Sequence, residues 1–105
     1  MTAAGFQSDA RYAETLARHR AGGGYGPLRI EAELAAAGVE RALIREAIAA
    51  LEVDWAVEAE RLRVAKFGAL PASGTARQKQ YAYLASRGFD GSTIQRILKS
   101  GFYDE

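Results

Sequence analysis

The sequence predicts an all-α protein built as a tandem repeat of two three-helix units, with about six helices in an elongated arrangement. Residues 34–39 end a helical segment at Gly38, and residues 84–89 do the same at Gly88, with a large apolar residue directly after each glycine. The register continues beyond the glycines, because Ile44 matches Ile94. Alternating apolar and polar runs flanked by hairpin turns are absent, so no strand is predicted. A repeat at fixed spacing indicates a stack of like units.

The first helix is predicted to start at Ser8 or Asp9, either of which can cap it, and to run to about residue 20. Its apolar stripe consists of Tyr12, Ala13, Leu16 and Ala17. Four glycines within residues 22–26 cannot continue the helix, because each costs about 1 kcal/mol in a helix interior. These residues are interpreted as a hinge between helices. Pro27 then restarts a helix at the position where its missing N–H does no harm.

The second helix is predicted over residues 27–37, with Ile30 and Leu34 facing inward. Gly38 supplies the positive φ that ends this helix. The third helix is predicted over residues 41–51, and its inner face carries Ile44, Ile48 and Leu51 at helical spacing.

The fourth helix is predicted to open at Asp54 and to run to about residue 67. Its inner face carries Trp55, Ala59 and Leu62. Residues 68–74 are predicted to form a loop that leads to the fifth helix.

Two capping boxes are predicted to start the last two helices, since a hydroxyl and an amide three residues apart can each bind an unpaired backbone N–H. The first box, Thr75 with Gln78, starts a fifth helix that runs to residue 87. The second box, Ser92 with Gln95, starts a sixth helix that ends near residue 100.

The predicted boundaries are a tail over residues 1–8, a first repeat over 9–52 and a second repeat over 53–105 that ends in the acidic tail Asp104-Glu105. A three-helix unit of about 45 residues buries its apolar face poorly by itself. The two units are therefore expected to pack against each other.

Charge is divided unevenly between the units, although the net charge is only +1. Residues 1–60 carry six Arg and ten acids, whereas residues 61–99 carry eight Lys or Arg and a single acid, Asp90. A basic surface suits an acidic partner, although an ordinary solvated face has the same composition. The absence of cysteine excludes disulfides and thiolate metal sites, and it fits a cytoplasmic protein. No apolar run approaches the ~20 residues of a membrane span, and no signal peptide is predicted.

Neither catalysis nor a cofactor is predicted, because the sequence offers no convergent set of titratable side chains. The one histidine, His19, lies between Arg18 and Arg20 on a polar helical face, and no cluster has metal-ligand spacing. The glycine-rich residues 22–26 are followed by Pro27 and Leu28 rather than by the lysine and hydroxyl of a phosphate-binding loop. The chain is therefore predicted to be no enzyme, with no metal site, cofactor or small-molecule substrate.

Two helices that meet at a glycine also match a DNA-binding helix-turn-helix, although many packed helix pairs look the same. Leu34 and Leu84 stand where that motif usually has a small residue. In the first unit, the helix that would contact the DNA bases presents acidic as well as basic side chains. The sixth helix suits DNA better, because it offers Thr93, Gln95, Arg96 and Lys99. Basic and aromatic residues together can also bind single strands by stacking. Direct DNA binding by the second unit therefore stays open.

A set of motifs spread over about residues 6–100 resembles the RecX family of bacterial regulatory proteins. The motifs are Ser8-Asp9-Ala10-Arg11-Tyr12-Ala13, Gly24-Tyr25-Gly26-Pro27 with Arg29-Ile30, Glu33-Leu34, Gly38-Val39, and Leu84-Ala85-Ser86-Arg87-Gly88-Phe89 followed by Ile94 and Leu98. The resemblance implies tandem three-helix repeats that bind the RecA filament on DNA and limit its growth or activity. It also implies a role in DNA repair, recombination and the SOS response.

Family members usually carry another three-helix repeat before the segment that starts at Asp9. The chain therefore resembles a fragment or a natural short form that lacks the first repeat. Fewer simultaneous contacts then predict weaker binding to RecA.

The predicted function is a regulatory protein that binds RecA or its nucleoprotein filament and inhibits or modulates it. The alternative is a direct DNA-binding module that uses the basic second repeat. A weak DNA contact and no membrane contact are predicted. Charge and expected exposure select the partner-binding residues Tyr25, Arg29, Arg61, Arg63, Lys66, Arg77, Lys79, Tyr83 and Arg87.

Overall fold

The computed structural model describes the backbone of residues 3–99 and the side chains of residues 9–99. The predicted acidic tail Asp104-Glu105 lies outside the described residues. Within that part the chain forms α-helices and no strand, in the order α1 (Ala3–Gly22), α2 (Pro27–Ala36), α3 (Arg41–Ala49), α4 (Trp55–Phe67), α5 (Gly74–Ser86) and α6 (Gly91–Leu98). Helices α1–α3 form the first unit and α4–α6 the second. The predicted fold class is confirmed, and the molecule is elongated, with extents of 54 × 22 × 20 Å.

Each unit closes its own hydrophobic core. The first core includes Ile30 and Leu34 from α2 and Ile44 from α3, while the second includes Leu84 from α5 and Ile94 from α6. Among the described residues, every helix pair in extensive contact consists of two helices of the same unit. The two units do contact each other, as expected, but they do so through Trp55 and a few backbone groups rather than through a broad apolar interface.

Trp55 is the side chain that connects the two cores. It is half-buried at the start of α4 and packs against both apolar clusters. Its ring meets Phe89 of the second unit edge-on, with 6.3 Å between the ring centroids. The inward position predicted for Trp55 is confirmed, and it lies at the boundary of the two units.

The predicted helix starts are correct for α2, α3 and α4 and wrong for α1, α5 and α6. Asp54 caps α4 by accepting hydrogen bonds from the backbone N–H groups of its first turn. Helix α1 begins at Ala3, earlier than the predicted caps, because the alanine-led sequence before them also favours helix.

Both predicted capping boxes are displaced by two residues. Helix α5 is capped by Ser73, whose Oγ accepts from the N–H of Ala76 at 3.1 Å. Helix α6 is capped by Asp90, whose Oδ1 accepts from the N–H of Thr93 at 2.9 Å. Tertiary packing decides the second case, because the buried Phe89 directly precedes Asp90 and fixes where the chain turns into the helix.

The repeated glycine turns have the same backbone geometry. Gly38 has a φ of 89° and Gly88 a φ of 101°, both in the left-handed region that favours glycine. The residue after each glycine donates its N–H to the leucine carbonyl four residues before that glycine, Val39 to Leu34 at 3.0 Å and Phe89 to Leu84 at 3.2 Å. The internal repeat read from the sequence is thus a repeat in hydrogen bonding as well.

The two units join where the end of α5 meets the beginning of α2. The N–H of Gly26 donates to the carbonyl of Arg87 at 2.7 Å, and the N–H of Leu28 donates to the carbonyl of Gly88 at 2.9 Å. A Cβ built on Gly26 would lie 2.6 Å from the Gly88 oxygen, and one built on Gly88 would lie 2.5 Å from the Arg29 Cβ. Residues 22–26 connect α1 to α2, as predicted, and Gly26 at their end also contacts the second unit. This contact between the units, formed by Gly26, Leu28, Arg87 and Gly88, is here called the glycine junction.

We predict that Gly88→Ala destabilises the protein much more than Gly38→Ala. Both substitutions place a Cβ at positive φ, which costs about 1–2 kcal/mol. At Gly88 the Cβ also collides with Arg29, whereas around Gly38 nothing lies within 4 Å, so Gly88→Ala is expected to cost about 1–3 kcal/mol more through overpacking. Urea unfolding of the two variants measures the difference, and equal losses would show that the junction is not closely packed.

We predict a pH-dependent contribution of the α6 cap. Hydrogen bonds from the side chain and the backbone N–H of Thr93 lower the pKa of Asp90 below its ordinary value of 3.8. A lowered folded-state pKa stabilises the protein above the unfolded-state pKa, and this contribution is lost as the pH falls through the folded-state pKa. Asp90→Ala is expected to cost about 1 kcal/mol near pH 7 and less in acid, whereas Asp90→Asn keeps an uncharged cap and little pH dependence. Urea titrations at several pH values measure both effects.

Candidate partner-binding surface

Tyr25 lies between two arginines at the glycine junction. The guanidinium carbon of Arg87 is 4.3 Å from the centroid of the Tyr25 ring, and that of Arg29 is 4.7 Å from it. A cation within about 6 Å of a ring centroid is attracted by the negative face of the ring, by about 0.5–1 kcal/mol at exposed sites. The half-buried ring therefore binds one arginine from each unit.

The same arrangement continues into the second unit. Arg87 lies 5.9 Å from the ring of Tyr83, and the ammonium of Lys66 lies 5.3 Å from that ring. Phe67 contacts Tyr83 edge-on, with 5.6 Å between ring centroids. We call the row Arg29, Tyr25, Arg87, Tyr83 and Lys66 the cation–aromatic ladder. It brings together residues from four segments of the chain, and all five were predicted as partner-binding residues.

Arg87 holds the centre of the ladder in place. Its Nη2 donates to the carbonyl of Gly23 at 3.1 Å, and its own carbonyl accepts the hydrogen bond from Gly26. Its Nε is buried without a hydrogen-bond acceptor among the described residues. Because Arg87 is half-buried between two rings, it acts mainly as a structural part of the ladder.

Glu33 orients the exposed end of the ladder, and sequence reasoning missed this role. Its carboxylate accepts from Nε of Arg29 at 2.9 Å and from Nε of Arg20 at 2.9 Å. The hydrogen bonds from Arg29 and Arg20 hold the pKa of Glu33 below its ordinary value. The spacing of Arg29 and Glu33, one helical turn apart, is a signal that the sequence contained. The contact with Arg20 depends on how α1 and α2 pack, and no local pattern reveals it.

The prediction that Arg63 is an exposed partner-binding residue is wrong, because its side chain is buried, with 3% exposure. Its guanidinium binds the carboxylate of Glu60 through Nη2 at 2.6 Å. Nη1 donates to the carbonyl of Ala69 at 3.0 Å, and that same carbonyl accepts from the side chain of Gln80. Arg63 therefore fastens the loop after α4 to α5. The sequence could not separate it from its exposed neighbour Arg61, which pairs with Glu58 at 2.7 Å.

The remaining predicted residues, Arg77 and Lys79, are exposed on α5 and do not belong to the ladder. Arg77 lines an open groove of about 570 Å³ between α5 and α6, together with Ser92, Gln95, Arg96 and Lys99. Three of these five side chains are cationic. This groove, here called the α5–α6 groove, is the second basic surface of the second unit.

Two negative findings concern only the part of the chain that the structure describes. No group of three or more His, Cys, Asp or Glu side chains is placed to hold a metal ion. None of the described helices is both long and apolar enough to cross a membrane.

Comparison with known proteins matches both units to one family. Residues 8–48 match the family model described as RecX, second three-helix domain, and residues 58–98 match RecX, third three-helix domain. The regulatory protein RecX of Stenotrophomonas maltophilia strain K279a is 45% identical over 100 residues, covering 94% of this chain and 61% of the relative. That of Xanthomonas oryzae pv. oryzae strain PXO99A is 43% identical over 105 residues, covering 99% and 65%. That of Pseudomonas entomophila strain L48 is 41% identical over 95 residues, covering 90% and 61%. The chain thus spans 61–65% of the length of these relatives.

We predict that Tyr25 and Arg87 are energetically coupled. In a double-mutant cycle with Tyr25→Leu and Arg87→Met, measured by urea unfolding, the coupling is expected to be about 0.5–2 kcal/mol. Tyr25→Phe keeps the ring and is expected to be nearly neutral, and Lys79→Met removes an exposed cation outside the ladder as a control. Coupling near zero would show that the stacked geometry does not contribute to stability.

Proposed function

The chain belongs to the RecX family, and from that membership we propose that it binds the RecA recombinase, or the filament that RecA forms on DNA, and restrains its activity. The relatives carry the name of regulatory proteins. A regulator of this kind acts by binding, and its contacts need a surface rather than a catalytic cleft. In addition to family membership, the cation–aromatic ladder is the structural observation that supports this proposal.

The ladder has the chemistry of a protein-binding surface. Tyrosine and arginine are the residue types that contribute most often to binding hot spots, because they present large, rigid area with a polar end. Arg29 keeps 44% of its side chain exposed, and Lys66 is exposed at the other end. The rings of Tyr25 and Tyr83 lie against these cations and restrict their conformations, which reduces the conformational entropy lost on binding. An acidic patch on RecA is the complementary surface that this arrangement favours.

The elongated shape supports contacts with more than one RecA protomer. Two separately closed units in a molecule 54 Å long reach further than one globular unit of the same mass. Each additional simultaneous contact on a filament multiplies the overall affinity, provided that the spacing fits. Binding along a filament would by itself limit filament growth, without any catalytic step.

We predict that the chain inhibits the DNA-dependent ATPase and strand-exchange activities of RecA. The double variant Arg29→Gln/Lys66→Gln, which removes both ends of the ladder, is expected to weaken inhibition about tenfold or more. The matched control Arg18→Gln/Arg45→Gln removes the same charge from exposed positions on α1 and α3 and is expected to inhibit as the parent does. Thermal unfolding of each variant establishes that it is folded.

The outcomes separate the function from the location of the contact. No inhibition by the parent chain at a large molar excess would contradict the regulatory function. Equal inhibition by both double variants would leave that function standing and contradict the ladder as the contact surface.

The second candidate function is direct DNA binding through the α5–α6 groove. One observation favours it, namely that Arg77, Arg96 and Lys99 line one groove together with two polar side chains. Phosphate contacts lower log K linearly with log salt, with a slope of about −0.9 for each phosphate neutralised in duplex DNA. In the same experiment, binding to DNA without RecA is therefore titrated with salt. Steep salt dependence that becomes shallower in Arg77→Gln supports this candidate, and much tighter binding to RecA filaments than to DNA alone contradicts it.

A further inference from the structure

The first unit has a groove between α2 and α3 that the proposed function does not use. It is open to solvent and holds about 590 Å³, and the residues that line it are Glu31, Ala35, Val39, Arg41, Ile44 and Arg45. We call it the α2–α3 groove. Consecutive helix positions are about 100° apart, so the buried Ile30 and Leu34 of α2 separate this groove from Arg29 and Glu33 on the other flank of the helix. The groove is therefore a separate surface from the cation–aromatic ladder.

The floor of the α2–α3 groove is apolar, and its two walls carry opposite charges. Val39 and Ile44 are packed in the first core and are only 7% and 6% exposed, so the floor is fixed. Glu31 is exposed on the α2 wall, whereas Arg41 and Arg45 are exposed on the α3 wall. The volume lies within the range of about 300–1,000 Å³ that is typical of ligand sites. The floor can accept an apolar side chain, and the walls determine which charges can lie beside it.

The two arginines of the α3 wall lie one helical turn apart without a neutralising neighbour. No acidic residue stands three or four positions from Arg41 or Arg45 in the sequence. Among the described residues, neither guanidinium takes part in an ion pair or a hydrogen bond. Like charges at this spacing destabilise a helix. A carboxylate bound at this wall would remove the repulsion between them.

We propose that the α2–α3 groove binds a short acidic segment of a partner protein, in which an apolar or aromatic side chain stands next to two carboxylates. The apolar side chain packs on Val39 and Ile44, and the carboxylates accept hydrogen bonds from the guanidinium groups of Arg41 and Arg45. Glu31 on the opposite wall repels further acids and so sets the direction in which the segment lies. A nucleic acid fits this groove less well, because its phosphates are evenly spaced along the strand and some would meet Glu31.

This binding goes beyond the proposed function, because the groove and the ladder lie on opposite flanks of α2 and can be occupied at the same time. The chain would then connect the partner of its ladder to a second protein that carries the acidic segment. Occupation of the groove does not require the ladder. A titration of the groove alone therefore tests this inference separately from the proposed function.

A peptide titration followed by NMR spectroscopy of the 105-residue chain tests the proposal. The probe is the synthetic peptide acetyl-Gly-Phe-Asp-Asp-Gly-amide. We expect saturable shifts of the backbone amides of residues 39–45, with a Kd of about 1 mM or lower. A peptide with both Asp replaced by Asn, or with Phe replaced by Ala, is expected to bind about fivefold or more weakly, because each lacks one of the two contacts.

Variants of the chain identify the side chains that bind the peptide. Arg41→Gln/Arg45→Gln is expected to weaken peptide binding about tenfold or more. The matched control Arg11→Gln/Arg18→Gln removes the same charge from exposed positions on α1 and is expected to bind as the parent does. Glu31→Gln is expected to tighten binding about twofold, because it removes a repelling charge at an exposed site. A folding defect cannot produce this gain.

Three results would overturn the proposal. The first is the absence of saturable shifts in residues 39–45 at millimolar peptide, and the second is equal weakening by the two double variants, which would show only general attraction to a cationic surface. The third is tighter binding in this groove of a short single-stranded oligonucleotide than of the peptide, which would assign the groove to nucleic acid. Because RecA is absent from these titrations, a failure of the parent chain to inhibit RecA would contradict the proposed function and leave this inference standing.

Discussion

The rest of the molecule depends on the contact between the end of α5 and the beginning of α2. Each helix end leaves polar backbone groups without an internal partner, and the glycine junction pairs the carbonyls of one with the N–H groups of the other. The hydrogen bonds are short because both backbones approach without a Cβ between them, at Gly26 and at Gly88. Opposite partial charges at the two helix ends add to the attraction. Two units with separate cores thereby become one elongated body whose connection depends on the backbone and on Trp55 rather than on a broad apolar interface.

The cation–aromatic ladder is a consequence of this contact. Arg87 directly precedes Gly88, so the hydrogen bond that its carbonyl accepts from Gly26 also sets the guanidinium against the ring of Tyr25. The ring in turn lies in the loop that the junction holds. Without the junction, Arg29 and Lys66 would belong to two unrelated surfaces. With it, they are the two ends of one row of cations and rings, which is the arrangement proposed to meet an acidic surface of RecA.

The basic residues of the second unit have several different roles. Arg63 stabilises the loop after α4, and Arg61 is paired with Glu58 on the surface of its own helix. Arg87 serves the junction, while Lys66 and the residues of the α5–α6 groove remain at the surface. The number of basic residues in the second unit is therefore larger than the number that an anionic partner could contact. The same distribution gives the molecule two basic surfaces, the ladder and the groove, and thus two candidate functions that respond to different substitutions.

The sequence by itself determined the helices, the fold class and the repeat, because helix periodicity, proline at a helix start and glycine at a helix end act locally. It also contained the motifs of the RecX family and the residues of the ladder. Only the tertiary structure decided which glycines are structural contacts: Gly38 and Gly88 have the same local sequence signal and the same φ region, yet one is exposed and the other buried. It likewise buried Arg63 and moved two helix caps. The physical reason is that burial and end-to-end hydrogen bonding join residues some sixty positions apart, such as Gly26 and Arg87, and local periodicity carries no information about such pairs.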